Sequence, residues 1–222
     1  MKERGIIFNG DMVRAILDGR KTQTRRMVKP TPDYPQILET RLAESGCVFA
    51  VHANRHHASE GRFRWDCPFG QPGDRLWVRE AFRVMGKATD VARLMYKASE
   101  RNSFTESTRT VPVDVCTKQS SQKWTPSIHM PRWASRITRE IIGVRVERLN
   151  DISEEDCWAE GIDAVDGRFE NAEIIDMAVK IGCCIEDAKP MFALLWQSIY
   201  GAESWDANPW VWVIEFKHIK GD

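Results

Sequence analysis

Leu17-Asp18-Gly19-Arg20-Lys21-Thr22-Gln23-Thr24-Arg25-Arg26 gathers four basic side chains, two threonines and a glutamine directly after a short apolar-periodic segment. In that segment Val13, Ile16 and Leu17 stand at i, i+3 and i+4, the spacing of one helical face. Asp11 is placed to cap its start and Gly19 to occupy the left-handed position after its end. The spacing therefore predicts a helix over 11–17 and a basic loop leaving its C-terminus. A loop held at both ends can aim Lys21 and Thr24 at one point. The bland alternative is a solvated basic turn.

Working outward, the 222 residues suit one domain with elaborations, or at most two small ones. Hydrophobic content of 42% with 29% charged residues is that of an ordinary globular chain. A formal net charge of zero excludes a general polyanion binder. The charge is uneven, though: residues 14–29 hold six Lys/Arg against one Asp, and residues 151–176 hold ten Asp/Glu against one Arg. Nucleic-acid contact is thus expected at a site rather than along a track. The six cysteines form no CxxC pair, and neither a signal peptide nor an apolar run near 18 residues is present. Reduced thiols and a cytoplasmic protein are expected, with no membrane contact. Neither Cys183-Cys184 nor His56, His57 and His218 has metal-ligand spacing, so no metal or cofactor is expected.

Past the basic run, Pro30, Pro32 and Pro35 stop any helix or central strand. Residues 47–51 and 61–65 read as paired strands around a tip carrying His56 and His57. Residues 75–85 read as one strand, with Leu76, Val78, Glu80, Phe82 and Val84 on one face. Glu80 interrupts that apolar face, and a buried carboxylate needs either a cation or an opening into a pocket. An arginine of the Arg132–Arg136 segment could supply the cation; the pocket reading makes Glu80 a wall of a ligand site. Residues 94–98 and 111–116 read as further strands, with a loop over 99–110. Arg132-Trp133-Ala134-Ser135-Arg136 reads two ways. Either the segment stacks on a base and binds phosphate or sugar, or Trp133 packs inside while the arginines pair with acids.

Residues 137–149 read as a long strand with Ile142, Val144 and Val146 on one face. Ser153, followed by Asp156, is an acidic capping box that opens a helix ending at Glu160-Gly161. Glu154, Glu155 and Asp156 suit the positive end of that helix. Glu160 sits at the negative end, where a carboxylate is disfavoured by ~0.3–1 kcal/mol. A residue that breaks a local rule is a candidate functional position. Residues 172–181 read as an amphipathic helix. A second covers 190–200, with Pro190 at its first position, Gly201 past its end, and Phe192, Leu195, Trp196 and Ile199 toward the core. Residues 210–219 are apolar on both faces at their start, the pattern of a buried closing strand.

Gly19-Arg20-Lys21-Thr22-Gln23-Thr24-Arg25-Arg26 resembles the signature of the ASCH domain, a branch of the PUA-like superfamily of small β-barrels. Bacterial N(4)-acetylcytidine amidohydrolases of this group follow it with four blocks that have counterparts here in order. These are Gly73-Asp74-Arg75-Leu76-Trp77-Val78, residues 141–148, residues 152–161 and Val213-Ile214-Glu215-Phe216-Lys217. The chain is also similar to longer ASCH proteins encoded by bacteriophages, through Trp77-Val78-Arg79-Glu80 and Met130-Pro131-Arg132-Trp133-Ala134-Ser135-Arg136.

The resemblance implies an α+β fold: a mostly antiparallel PUA-like barrel of five or six strands, with helices over 11–17, 153–160 and 190–200 around it. It implies one domain over 1–222, with insertions at about 30–68 and 86–128 relative to compact relatives. The implied activity is metal-independent hydrolysis of the acyl group on the exocyclic amine of N(4)-acylated cytidine-type nucleosides. Lys21, Thr24 and Glu160 match the catalytic set; Arg20, Arg26, Glu80, Arg132, Trp133 and Arg136 are the substrate-binding candidates. The residue types make chemical sense. A threonine needs a base, a lysine becomes one when burial and neighbouring cations lower its pKa, and a carboxylic acid can protonate the departing amine. Two other functions fit the same loop: a non-catalytic module binding RNA or a modified nucleotide, and a metal-independent ribonuclease. A phage protein acting through protein partners is a further alternative.

Overall fold

The computed structural model describes residues 1–29, 37–42, 48–53, 60–63, 67–162, 172–180, 182 and 187–219. The expectations for Pro30, Pro32 and Pro35, for the tip with His56 and His57, and for Cys47, Cys183 and Cys184 lie outside them. In chain order the elements are β1 (Glu3–Ile7), α1 (Gly10–Leu17), β2 (Gln23–Met27), β3 (Ile37–Leu42), β4 (Val48–Ala53), β5 (Glu60–Phe63), β6 (Arg75–Arg79), β7 (Phe82–Lys87) and β8 (Val91–Tyr96). There follow α2 (Phe104–Ser107), β9 (Thr108–Pro112), β10 (Thr138–Arg148), α3 (Glu154–Ala159), α4 (Ala172–Lys180), α5 (Ala188–Tyr200) and β11 (Trp210–His218). The fold is mixed α+β. Its strands pair in the order β1-β6-β10-β11-β2, with β3-β4-β5 and β7-β8-β9 as separate sheets, and among the described residues no ladder closes a barrel. No described helix is long and apolar enough to cross a membrane.

The chain divides into two compact units, 1–19 with 75–140 and 218–222, and 20–74 with 141–217. In the first, β1 runs parallel to β6 and β6 antiparallel to the start of β10. Gly5 stands opposite Trp77, and a Cβ there would come within 2.7 Å of the indole, so only glycine lets the ring lie across β1. Phe82, Val84, Leu94, Tyr96, Val111 and Met130 fill the core against β7, β8 and β9.

Several expectations are corrected in this unit. The α1 N-cap is Asn9, whose side chain accepts the Met12 N–H, while Asp11 sits in the first turn bonded to Arg14. Gly19 does take the left-handed conformation, with φ at +78°. Residues 75–85 form two strands rather than one. They part at Glu80, whose N–H turns to Met130 Sδ, and at Ala81, whose carbonyl accepts the Lys97 N–H. Residues 111–116 hold only the end of β9, and 99–110 contain the short α2. The sequence reading missed β1, whose five residues include one buried side chain, Ile6, too little for an alternation to stand out.

In the second unit the rest of β10, then β11 and β2 lie side by side, and Val211 to Glu215 pair with Met27 to Gln23 in an antiparallel ladder. Helices α3, α4 and α5 pack on a cluster that includes Cys157, Met191, Phe192, Trp196, Val211 and Val213. Ile214 is buried on β11 as well, so that strand is apolar on both faces, as read. The basic run is corrected: from Gln23 onward it is strand, not loop, and Gln23, Thr24 and Arg25 are buried. Helix α5 starts at Ala188, which puts Pro190 inside its first turn. Met191 and Leu194 face inward, whereas Ile199 is 42% exposed. On β10 it is Ile141, not Ile142, that is buried.

Candidate active site

The site grows from the ends of two elements in the second unit. Thr22 is pinned on both sides: its N–H donates to Ala159 O, and its carbonyl accepts from Phe216 N–H, each at 2.8 Å. This holds the segment before β2 against the end of α3. Ser153 caps α3 by accepting the Asp156 N–H at 3.1 Å, as the capping box predicts. The helix stops at Glu160, and Gly161 follows with φ at +86°.

Lys21 is fully buried and donates to Glu160 twice, to the carboxylate Oε2 at 2.5 Å and to the main-chain carbonyl at 2.8 Å. That carbonyl is among those a helix end leaves without an intrahelical partner, so the ammonium satisfies it and offsets the negative end of the macrodipole. Glu160, 3% exposed, is held on its other oxygen by Arg25 Nη1 at 3.2 Å. Two cations thus stabilise the carboxylate that helix electrostatics disfavours.

Arg25 extends the network. It donates to Glu147 Oε1 at 2.5 Å and to Asp156 Oδ2 at 2.8 Å, and its guanidinium lies 5.8 Å from the Phe192 ring centre. Arg145 bonds Asp156 at 2.6 Å, Glu147 at 3.0 Å, and Glu215. Gln23 donates to Asp156 Oδ1 at 2.7 Å and to Asp156 O at 3.0 Å. Burial lowers the Lys21 pKa below its ordinary value of 10.5; Glu160 pulls it back, while Arg26 and Arg25 add to the depression. Burial works against ionised Asp156, yet Gln23, Arg145 and Arg25 together hold its carboxyl below the usual range.

The structure brings Lys21 and Glu160 into contact. Thr24, 1% exposed, stands on β2 between Gln23 and Arg25, so strand alternation turns it to the opposite face, across from Ile214. Arg26 shares that alternate side, opposite Trp212. Arg20 reaches the Gly161 carbonyl at 3.5 Å. The other four candidates belong to the first unit. Arg132 pairs with Glu3 at 2.8 Å; Trp133 packs edge-on against Phe82; Arg136 chelates Glu80 and lies over Tyr96. The sequence reading missed Gln23, Glu147, Asp156 and Arg145 as members of the site. The period-2 row 21-23-25 against acids at 156 and 160, one helical turn apart, was the available signal. Cys67, Cys116 and Cys157 are buried and form no disulfide, and burial pushes the Cys157 thiol up to about 12. Compared with known proteins, the chain matches no family model, no curated protein and no solved structure.

Proposed function

We propose that this chain is a PUA-like protein of the ASCH type, acting on a nucleoside or nucleic acid. Its reaction is hydrolysis of an acyl group from the exocyclic amine of a cytidine-type nucleoside. The observation that carries the reading is the water-excluded Lys21–Glu160 pair, linked over a single 2.5 Å contact. One proton moving along that contact converts ammonium and carboxylate into amine and carboxylic acid, the two forms a general base and a general acid need. Burial and the nearby arginines favour the neutral amine.

In the proposed sequence, Lys21 takes the Thr24 hydroxyl proton as the oxygen attacks the acyl carbon. The C–N bond then breaks, Glu160 gives its proton to the departing nitrogen, and an acyl-threonine ester remains. Water attacks the ester, its proton passing to Glu160, and Lys21 returns its proton to Thr24, which restores the pair. The position of Thr24 on the opposite face of β2 favours a second reading, in which the pair activates water directly. A third follows from the closure of the pair: a structural tie inside a module that binds RNA without catalysis.

The test is incubation with N(4)-acetylcytidine in chelator. Release of cytidine, lost in Lys21→Ala, supports the hydrolase. Loss in Thr24→Ala, with an acyl-protein intermediate trapped by hydroxylamine, selects the threonine route, and retained turnover selects water. No cytidine from wild-type protein that binds RNA gives the module instead.

A further inference from the structure

The sheet β7-β8-β9 of the first unit has two unlike faces. Phe82, Val84, Leu94, Tyr96 and Val111 turn into the core. On the other face the register sets Arg83 beside Met95, Arg93 between Gly86 and Thr110, and Val91 beside Pro112. Met85, which the shift between Val84 and Gly86 leaves out of register, is exposed, as is Val91. The three strands carry four Lys/Arg and no Asp or Glu. Over 82–124 the count is eight against four, in a chain whose formal net charge is zero.

What the two arginines of this face touch is neutral. Arg83 donates to the Gln122 carbonyl at 3.2 Å and to Gln122 Oε1 at 3.3 Å, and its guanidinium lies 4.7 Å from the Trp124 ring centre. Arg93 lies 5.2 Å from the ring centre of Phe104, which is 53% exposed on α2. Among the described residues neither arginine pairs with a carboxylate, so both charges are uncompensated. Cation and aromatic ring therefore occur together twice. Arg83 and Arg93 are diagonal neighbours on adjacent strands, about 7–8 Å apart, the order of one phosphate-to-phosphate step in an extended single strand.

We propose that this face binds single-stranded nucleic acid, with phosphates on Arg83 and Arg93 and bases stacked at Phe104 and at the Arg83–Trp124 pair. A duplex offers the phosphates but keeps its bases inside. An acidic protein segment would use the cations and leave the rings without partners. Every residue of this face belongs to the first unit, so the proposal does not rest on the chemistry of the Lys21–Glu160 pair.

The test uses the full-length protein and the fluorescence anisotropy of a labelled oligouridylate of about twelve nucleotides. The probe carries no acyl group, so its binding is read whether or not N(4)-acetylcytidine is hydrolysed. A Kd below about 100 μM is expected at about 50 mM salt, with affinity falling against salt at a log–log slope of about −1.4, the value for two phosphates on a single strand. An abasic strand of the same length should bind at least about fivefold more weakly. Phe104→Ala, at an exposed position, should weaken oligouridylate by at least about fivefold and leave the abasic strand unchanged. Arg83→Gln with Arg93→Gln breaks no ion pair, keeps the fold by far-UV circular dichroism, and should bring the salt slope close to zero. The proposal is overturned if wild type does not bind, if the abasic strand or a duplex binds equally well, or if the Phe104 and arginine variants bind as wild type does. Binding to vesicles of phosphatidylserine and phosphatidylcholine without binding to the oligonucleotide overturns it as well.

Discussion

Replacing Lys21 by methionine keeps the volume of the stem and removes the ammonium from the Lys21–Glu160 pair. Neither side chain is screened by water: Lys21 is 0% exposed and Glu160 3%. Removing one partner of a buried pair typically costs about 3–5 kcal/mol, because the other charge stays buried. Here Arg25 still holds Glu160 Oε1 at 3.2 Å, so the carboxylate is not orphaned and the low end, about 3 kcal/mol, applies. At roughly 2–4 °C per kcal/mol for a chain of this size, Tm should fall by about 6–12 °C. Glu160→Gln should cost less, since the freed lysine can shed its proton, a direction burial already favours. The double variant should then cost about 1–3 kcal/mol less than the sum of the two. Thermal unfolding followed by calorimetry reads all three, with far-UV circular dichroism to check that secondary structure is retained. A Tm loss under about 2 °C for Lys21→Met, or a strictly additive cycle, would refute the tie between β2 and α3.

Ser153→Ala removes the cap of a six-residue helix and should lower stability by about 1 kcal/mol, or roughly 2–4 °C in Tm, with the loss restored by Asp at the same position. Gly19→Ala meets no atom within 4 Å but must adopt φ of +78°, so strain alone should destabilise by about 1 kcal/mol in urea titration. Asp156 has its folded pKa below the ordinary 3.8, so its ion pairs contribute above that value and are lost as pH falls through the folded one. Arg145→Ala should move the Asp156 carboxyl titration, followed by NMR, to higher pH; an unmoved titration would remove Arg145 from the network. Cys157, buried and with its thiol raised to about 12, should resist a thiol reagent at neutral pH in the folded protein and react after denaturation.

What the sequence made legible was whatever depends on neighbours in the chain. The α3 cap at Ser153, the left-handed Gly19, the doubly apolar β11 and the electrostatic misfit of Glu160 are local features, and each is found as read. The 20–26 run reads as loop throughout because nothing in its own residues shows that Gln23–Met27 pairs with β11. Its burial depends on Glu147, Asp156 and Glu160, more than a hundred residues away, and no local pattern carries that. The strand over 75–85 continued on paper because alternation continues through Glu80. The break comes from Met130 and Lys97, which take over the backbone groups of Glu80 and Ala81. The pair of alternatives for Glu80 turns out not to be exclusive, since the residue binds Arg136 and also lines a cavity.

Arg25 gives this chain an inheritance constraint. One guanidinium serves Glu147 on β10, Asp156 on α3 and Glu160 at the end of α3, using its planar fork in three directions. Lysine offers a single point charge and cannot reproduce that division. Loss of any one carboxylate changes the orientation in which the arginine satisfies the other two. Positions 25, 147, 156 and 160 are therefore expected to drift as a block across descendants of this chain. Position 24, on the other side of the same strand, is free of that bond, so any constancy there would record selection on chemistry rather than on folding.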